Sequence, residues 1–306
     1  MSTDQSINIE NITKHYNKTK ALEQVGFSIR SGELCGLIGA DGAGKTTLFE
    51  ILATLLSPDE GNASVAGMDI RNNKKEIRSL IGYMPGKFSL YQDLSVEENL
   101  NFYATIFGTT IDQGYSLIAP IWDQLKPFSN RPAGKLSGGM KQKLALCCAL
   151  VHQPEVLLLD EPTTGVDPVS RREFWEMLSH LKEKGITILV STPYMDEAVK
   201  CERIAFLHEG RLLEVKTPDE FVDSYCGFIY QIQSDVPYRI LRQLGALSQT
   251  KSAYLFGRNV HWTIDEKETN QAEWLLRKEG IEFSVISQIK PTIEDALMQL
   301  MKGDTE

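Results

Sequence analysis

The chain has 306 residues, 42% apolar and 24% charged, with a formal net charge of −9. That length exceeds one ordinary domain and fits a large α/β domain followed by a smaller one. The acidic balance, with no basic stripe, argues against nucleic acid as a partner, and the longest apolar run, the 8 residues 144–151, falls short of the roughly 20 that cross a bilayer.

In chain order, residues 7–12 (INIENI) and 25–29 (VGFSI) alternate and read as two strands of an antiparallel edge, with the polar KHYNKTKAL stretch between them as a turn. LCGLIG (34–39) is a short apolar strand, followed by a glycine-rich turn and a helix over about 44–56. Pro58 to Gly61 make a turn, NASVAGMDI a short hairpin, 74–80 a short helix and 80–84 a strand. Ser95 followed by Glu98 is a capping-box pattern opening a helix that runs to about Phe107. Residues 115–150 are mainly helical, interrupted at Pro127, Pro132 and Gly134. VLLLD (156–160) is a continuous apolar strand, as expected where both sheet faces are covered. A helix over 169–184, a buried strand over 186–192, a helical stretch over 195–201 and a hairpin turning at Glu209-Gly210 follow. Strands alternating with helices predict a mainly parallel α/β sheet. After Thr217-Pro218 the character changes: the remainder reads β-α-β-β-α-β with a final helix over 292–301, a small α+β domain.

The first residues, MSTDQSINIE, have neither the basic start nor the apolar stretch of a signal peptide, so the chain is expected to stay in the cytoplasm. Work at a membrane would then need another protein to supply the membrane part. The five cysteines, Cys35, Cys147, Cys148, Cys201 and Cys226, show no metal-type spacing and are expected to be small buried residues of a reducing compartment.

Three motifs carry chemistry. GADGAGKT (39–46) matches GxxxxGK[ST] between an apolar strand and a helix. Gly39, Gly42 and Gly44 let the backbone curl, so that amides of Asp41, Ala43 and their neighbours through Thr47 face a phosphate. Lys45 supplies the point charge for the terminal phosphates, and Thr46 a hydroxyl for Mg²⁺. Asp160 and Glu161 end an apolar strand, Asp160 suited to hold Mg²⁺ and Glu161 to act as general base on an attacking water. LSGGM (136–140) offers a second anion-binding helix start, with Ser137 as cap and Gly138 and Gly139 exposing amides.

Together these motifs resemble the nucleotide-binding domain of ABC proteins over about residues 5–216. The resemblance implies a P-loop NTPase fold with an antiparallel β subdomain and a helical subdomain (about 86–150), an ATP-binding domain over 1–216 and a C-terminal accessory or regulatory α+β domain over 217–306. It implies ATP and Mg²⁺ as ligands, Tyr16 stacking on adenine, and residues 164–167 as the loop that runs along a dimer interface. It also implies integral-membrane permease subunits as partners, met by residues 82–98, and a peripheral position on the inner face of the cell membrane. Two such domains pair head to tail, with ATP between the phosphate loop of one and the LSGG helix of the other. The segments GYMPGKFSLYQDLSVEENL and EPTTGVDP look most like the bacterial drug- or lipid-exporter branch.

Two family positions differ. Gly86 stands where most members have Gln, and Pro193 where most have a His that contacts the γ-phosphate. Proline offers neither a titratable group nor an N–H. The expectation is that this chain pairs with a paralogous ATPase, its own site being the slower one; the alternatives are that both losses are tolerated because Glu161 and Lys45 remain, and that the chain pairs with itself. A non-hydrolysing regulatory subunit is a further reading, and a soluble ABC ATPase acting on ribosomes or DNA fits least. In the C-terminal segment Trp262 and Trp274 are expected in the core or an interface, and Ile293, Ala296, Leu297, Leu300 and Met301 recur at helical spacing.

Overall fold

The computed structural model describes residues 5–87 and 89–303. The signal-peptide reading rests partly on residues 1–4, which lie outside these, as does Phe88 of the 82–98 segment. The chain separates into two compact units, Met1–Pro218 and Asp219–Glu306.

The first unit opens with the hairpin β1 (Gln5–Tyr16) and β2 (Thr19–Arg30). Both strands are longer than the alternation suggested, and most of KHYNKTKAL is paired strand. Asn11 and Gln24 sit at φ 51° and 49°, and the pairing shifts register near them, which breaks the phase of the alternation. Then come β3 (Leu34–Ile38), α1 (Lys45–Leu52), β4 (Glu60–Val65), β5 (Met68–Asp69), α2 (Lys74–Leu80) and β6 (Ile81–Met84). Three helices follow, α3 (Val96–Ile106), α4 (Ile111–Leu125) and α5 (Gly138–Leu150). β7 (Val156–Leu159), α6 (Pro168–Glu183), β8 (Thr187–Thr192), α7 (Met195–Ala198), β9 (Arg203–His208) and β10 (Arg211–Lys216) complete the unit.

Two sheets result. The antiparallel one has the order β2-β1-β4-β5, and the six-stranded one β10-β9-β3-β8-β7-β6. In the larger sheet β9, β3, β8, β7 and β6 run parallel, with Ile38 beside Thr192, Leu159 beside Val190 and Met84 beside Leu159. The loops after β3, β6, β7 and β8 therefore leave the same edge, which is where open α/β sheets bind ligands. One apolar cluster joins both sheets through α1: Ile7, Val25 and Val65 meet Leu48 and Phe49, which meet Leu37, Leu158 and Leu189. At 8 residues α1 is too short to be stable alone, so packing of its apolar face holds it.

Local chemistry sets the helices. Ser95 caps α3, and Glu98 reaches back to the Ser95 amide at 2.8 Å, completing the expected capping box. α4 runs straight through Pro120, a residue the sequence reading did not single out. Proline removes the bond to the carbonyl four residues earlier, and that carbonyl, Ser116 O, instead accepts from Lys184 Nζ at 2.9 Å.

The second unit contains β11 (Phe228–Gln233), β12 (Ser252–Phe256), β13 (Asn259–Ile264) and β14 (Val285–Ile289) in the order β12-β13-β11-β14, all pairs antiparallel. With α9 (Pro237–Gly245) after the first strand and α10 (Thr269–Lys278) after the third, this is the β-α-β-β-α-β ferredoxin-like topology. The short helix α8 (Pro218–Asp223), which the sequence reading missed, precedes it. One face packs Tyr230, Trp262, Ile240, Leu244 and Leu276 together. On the alternate residues of β13, His261 and Thr263 are buried on the opposite side. There Asp295, in the first turn of α11 (Ile293–Gly303), meets His261 Nδ1 at 2.8 Å and also accepts from the Tyr254 hydroxyl. Trp274 lies outside the core: it is 60% exposed, with Lys278 beside its ring. Four cysteines are buried, and burial pushes the Cys35 thiol up to about 12; Cys226 is exposed.

Candidate functional site

The phosphate loop begins where β3 ends. Gly39 cannot carry a side chain, because a Cβ there would lie 2.3 Å from Leu207 O. Gly44 takes φ 102°, and a Cβ there would meet Ala21 O at 2.3 Å. These two positions bring the loop hard against its neighbours and turn it into α1. Ala43 is buried, its amide bonded to Ala40 O at 3.1 Å. Asp41, Gly42, Gly44, Lys45, Thr46 and Thr47 line a cleft of about 230 Å³ together with Tyr16, Ala21 and Glu161. Tyr16, at the end of β1, is 46% exposed at its wall, a position from which its ring can cover a flat heterocycle.

Lys45 is 4% exposed. Its ammonium donates to Gly39 O at 2.8 Å and Ala40 O at 3.1 Å and lies 3.2 Å from Glu161 Oε1. A buried ammonium needs such partners, and they fix it inside the loop it serves.

Asp160 is 1% exposed, so its carboxylate must be satisfied from within. Thr46 Oγ1 donates to Oδ2 at 2.7 Å and Ser191 Oγ to Oδ1 at 2.7 Å. Ser191, on β8, also accepts from the Glu161 amide at 2.9 Å. The sequence reading passed over Ser191; only its place at the end of a strand beside β7 could have drawn it in. Glu161 itself adopts φ 49°, a left-handed conformation that costs a non-glycine residue about 1 kcal/mol or more. That turn aims its side chain at Lys45 rather than along the strand. Tyr83, on β6, has its phenol pushed up by burial and then by the Asp160 charge.

The two departures sit at this edge. A Cβ on Gly86 would lie 3.3 Å from Asp160 O and 3.5 Å from its Oδ2, so this position faces the acidic pair and presents no side chain to it. Pro193 follows the last residue of β8. Among the described residues no group of three or more His, Cys, Asp or Glu side chains could hold a metal. Thr46 and Asp160 together make a hard-oxygen pair that suits Mg²⁺ once phosphate oxygens complete the shell.

Ser137 caps α5 through Met140 N at 3.4 Å, and the helix starts at Gly138. None of Ser137, Gly138 and Gly139 lines the phosphate-loop cleft. They pack instead on the loop after β7: a Cβ on Gly138 would lie 3.5 Å from Gly165 O, and one on Gly139 would be 2.5 Å from Ser170 Oγ. The structure thus brings Tyr16, the phosphate loop, Asp160 and Glu161 together and holds the serine-glycine helix start apart from them.

The sequence matches the family described as ABC transporter over residues 22–164. A probable multidrug ABC transporter ATP-binding protein of Escherichia coli K12 is 40% identical over 287 residues, covering 92% of this chain and 49% of that protein. This chain therefore spans about half the length of that relative. Nod factor export ATP-binding protein I of Burkholderia orbicola is 36% identical, covering 79% of this chain and 81% of that protein. Among solved structures, cbiO1 from Clostridium perfringens, part of the ABC transporter complex cbiONQ, superposes with a TM-score of 0.64 at 27% identity over 72% of this chain and 92% of its own. A bacterial ABC transporter cassette solved as a dimer gives 0.63 at 26% identity, over 69% and 98%.

Proposed function

The chain belongs to the ABC transporter ATP-binding family, and from that premise we propose that it binds and hydrolyses ATP to energise a separate membrane permease, in the export direction. The observation that carries this reading is the convergence of Lys45, Thr46 and Glu161 on one cleft walled by Tyr16, with the buried Asp160 bonded to Thr46. Loop amides and Lys45 bind the polyphosphate, and Glu161 takes the proton of the attacking water. Thr46 and Asp160 would hold Mg²⁺, which would supply positive charge to the phosphates.

Among the described residues no helix is long and apolar enough to cross a membrane. A groove of about 320 Å³ between β6 and α3, lined by Leu55, Tyr83, Leu90, Ile106 and Phe107 among others, suits an apolar helix end of the permease. The names of the relatives, multidrug and Nod factor export, favour export.

Gly86 and Pro193 support pairing with a second cassette that carries the missing Gln and His. A regulatory subunit that binds without hydrolysing is the second reading, favoured by the same two positions. The test is binding of labelled ATP with Mg²⁺ to the full chain and to its membrane complex, followed by turnover in each. Binding in both with faster turnover in the complex is expected; absence of binding in both ends the proposal. Brisk turnover by the isolated chain would end the asymmetric version alone.

A further inference from the structure

The segment after β8 has lost the side chain that would face the phosphates, but it is far from loose. Glu197, in α7, is 1% exposed. Its Oε2 accepts from Thr163 Oγ1 at 2.9 Å and from Thr192 Oγ1 at 2.5 Å. Thr163 belongs to the loop that follows Glu161, and Thr192 ends β8. Both hydroxyls are buried. Thr192 Oγ1 in turn accepts from the Tyr194 amide at 3.0 Å, across Pro193.

The other carboxylate oxygen, Oε1, has no hydrogen-bond partner among the described residues and faces Arg171 Nη1 at 3.7 Å. Arg171 stands in the first turn of α6, whose cap, Asp167, closes the same loop after β7. Its guanidinium also covers the Tyr194 ring, 4.4 Å from the centroid. The loop of residues 163–167 is thereby held at its start by Glu197 and at its end by α6, and both ends refer back to one buried carboxylate. A buried charge kept with a single cation and two hydroxyls is expensive unless its geometry serves something.

We propose that Glu197, with Arg171 as its counter-ion, is a positioning residue for the ATPase reaction: it fixes the loop of residues 163–167 to the segment after β8. Glu197 does not line the phosphate-loop cleft; it acts through Thr163 on the loop that would face a second cassette. The inference rests on the proposed function for its catalytic consequence, while the mechanical link stands without it.

Three variants of the full chain test it: Glu197→Gln, Thr163→Val and Thr163→Ser. In the membrane complex, Glu197→Gln and Thr163→Val lower ATP turnover by about tenfold or more, because small displacements of aligned groups are amplified in rate. The Kd of a fluorescent ATP analogue with Mg²⁺ moves by less than about twofold, since the phosphate loop is untouched. Thr163→Ser restores turnover. Amide exchange supplies a readout independent of ATP: Thr163→Val speeds exchange of residues 192–195 as well as 163–167 by about fivefold. Equal losses in affinity and turnover, no loss in either, or exchange confined to 163–167 would overturn the inference. If Glu197→Gln does not fold, the two Thr163 variants carry the test. If the parent chain binds no analogue, the proposed function fails, and the exchange data alone decide whether the link exists.

Discussion

Thr46 Oγ1 lies 2.7 Å from Asp160 Oδ2, which ties the start of α1 to the end of β7. The two groups are 114 residues apart in the chain and meet because β3 and β7 flank β8 in one parallel sheet. Thr46→Val should remove the metal-sensitive part of ATP affinity. In the parent, EDTA is expected to weaken ATP binding by about tenfold or more, and in the variant to change it little, as read by equilibrium titration.

Glu161→Gln keeps the shape of the side chain and removes the base and the anionic partner of Lys45. ATP should still bind, while turnover falls by about 10² to 10⁴, the range for loss of a general base. In a complex with a second cassette that has its own Gln and His, Ser137→Arg should lower turnover more than Glu161→Gln does, on the proposal that the LSGG helix of this chain completes the facing site. The reverse order would count against unequal sites.

Gly44→Ala and Gly42→Ala separate crowding from torsion. Both glycines have positive φ, 102° and 81°, but a methyl at Gly44 strikes Ala21 O at 2.3 Å, while at Gly42 nothing lies within 4 Å. Gly42→Ala should cost about 1 kcal/mol, from backbone strain alone. Gly44→Ala should cost about 3 kcal/mol or more and abolish ATP binding. Thermal unfolding and nucleotide titration check both.

His152, stacked on Phe107 beside the groove proposed for the permease, has its pKa lowered by burial, the bond from its Nε2 to Ile81 O opposing that shift. A histidine lowered below its unfolded value of 6.5 binds protons better in the unfolded chain. Its stability contribution is therefore complete above that pH and declines as pH falls below it. His152→Gln should remove this component, so the melting-temperature difference between parent and variant should shrink from pH 7.5 towards about pH 5.

In the second unit Asp295 accepts from Thr292 N and Thr292 Oγ1, both at 2.6 Å, while holding His261. Asp295→Ala strands buried donors and should destabilise that unit by about 1–3 kcal/mol. Removing residues 225–306 is expected to weaken dimerisation or transport. Unchanged dimer affinity and unchanged transport after the deletion would show the unit to be dispensable.

Much of this was legible in the residues. GxxxxGK[ST], the strand ending in Asp160-Glu161 and the β-α-β-β-α-β tail are local patterns, and local chemistry sets them. What was not legible is what the tertiary structure decides. The alternation in β1 and β2 loses phase at Asn11 and Gln24, so two 12-residue strands looked like short ones. Pro120 leaves the Ser116 carbonyl without its helical partner, and that it accepts from Lys184, distant in sequence, could not be read from the residues. Ser191 and Glu197 carry no motif, and Thr163 was read only as part of EPTTGVDP; they matter because β7 and β8 are neighbours and because burial forces each polar atom to find another.

No methyl group fits between Gly139 and Ser170. The beginnings of α5 and α6 are therefore locked at one spacing, and the surface that would greet a facing subunit is cast as a single contour instead of two independently adjustable loops. A sequence drifting at either position would have to drift at both, which makes this pair a natural place to look when asking whether two cassettes were shaped for each other.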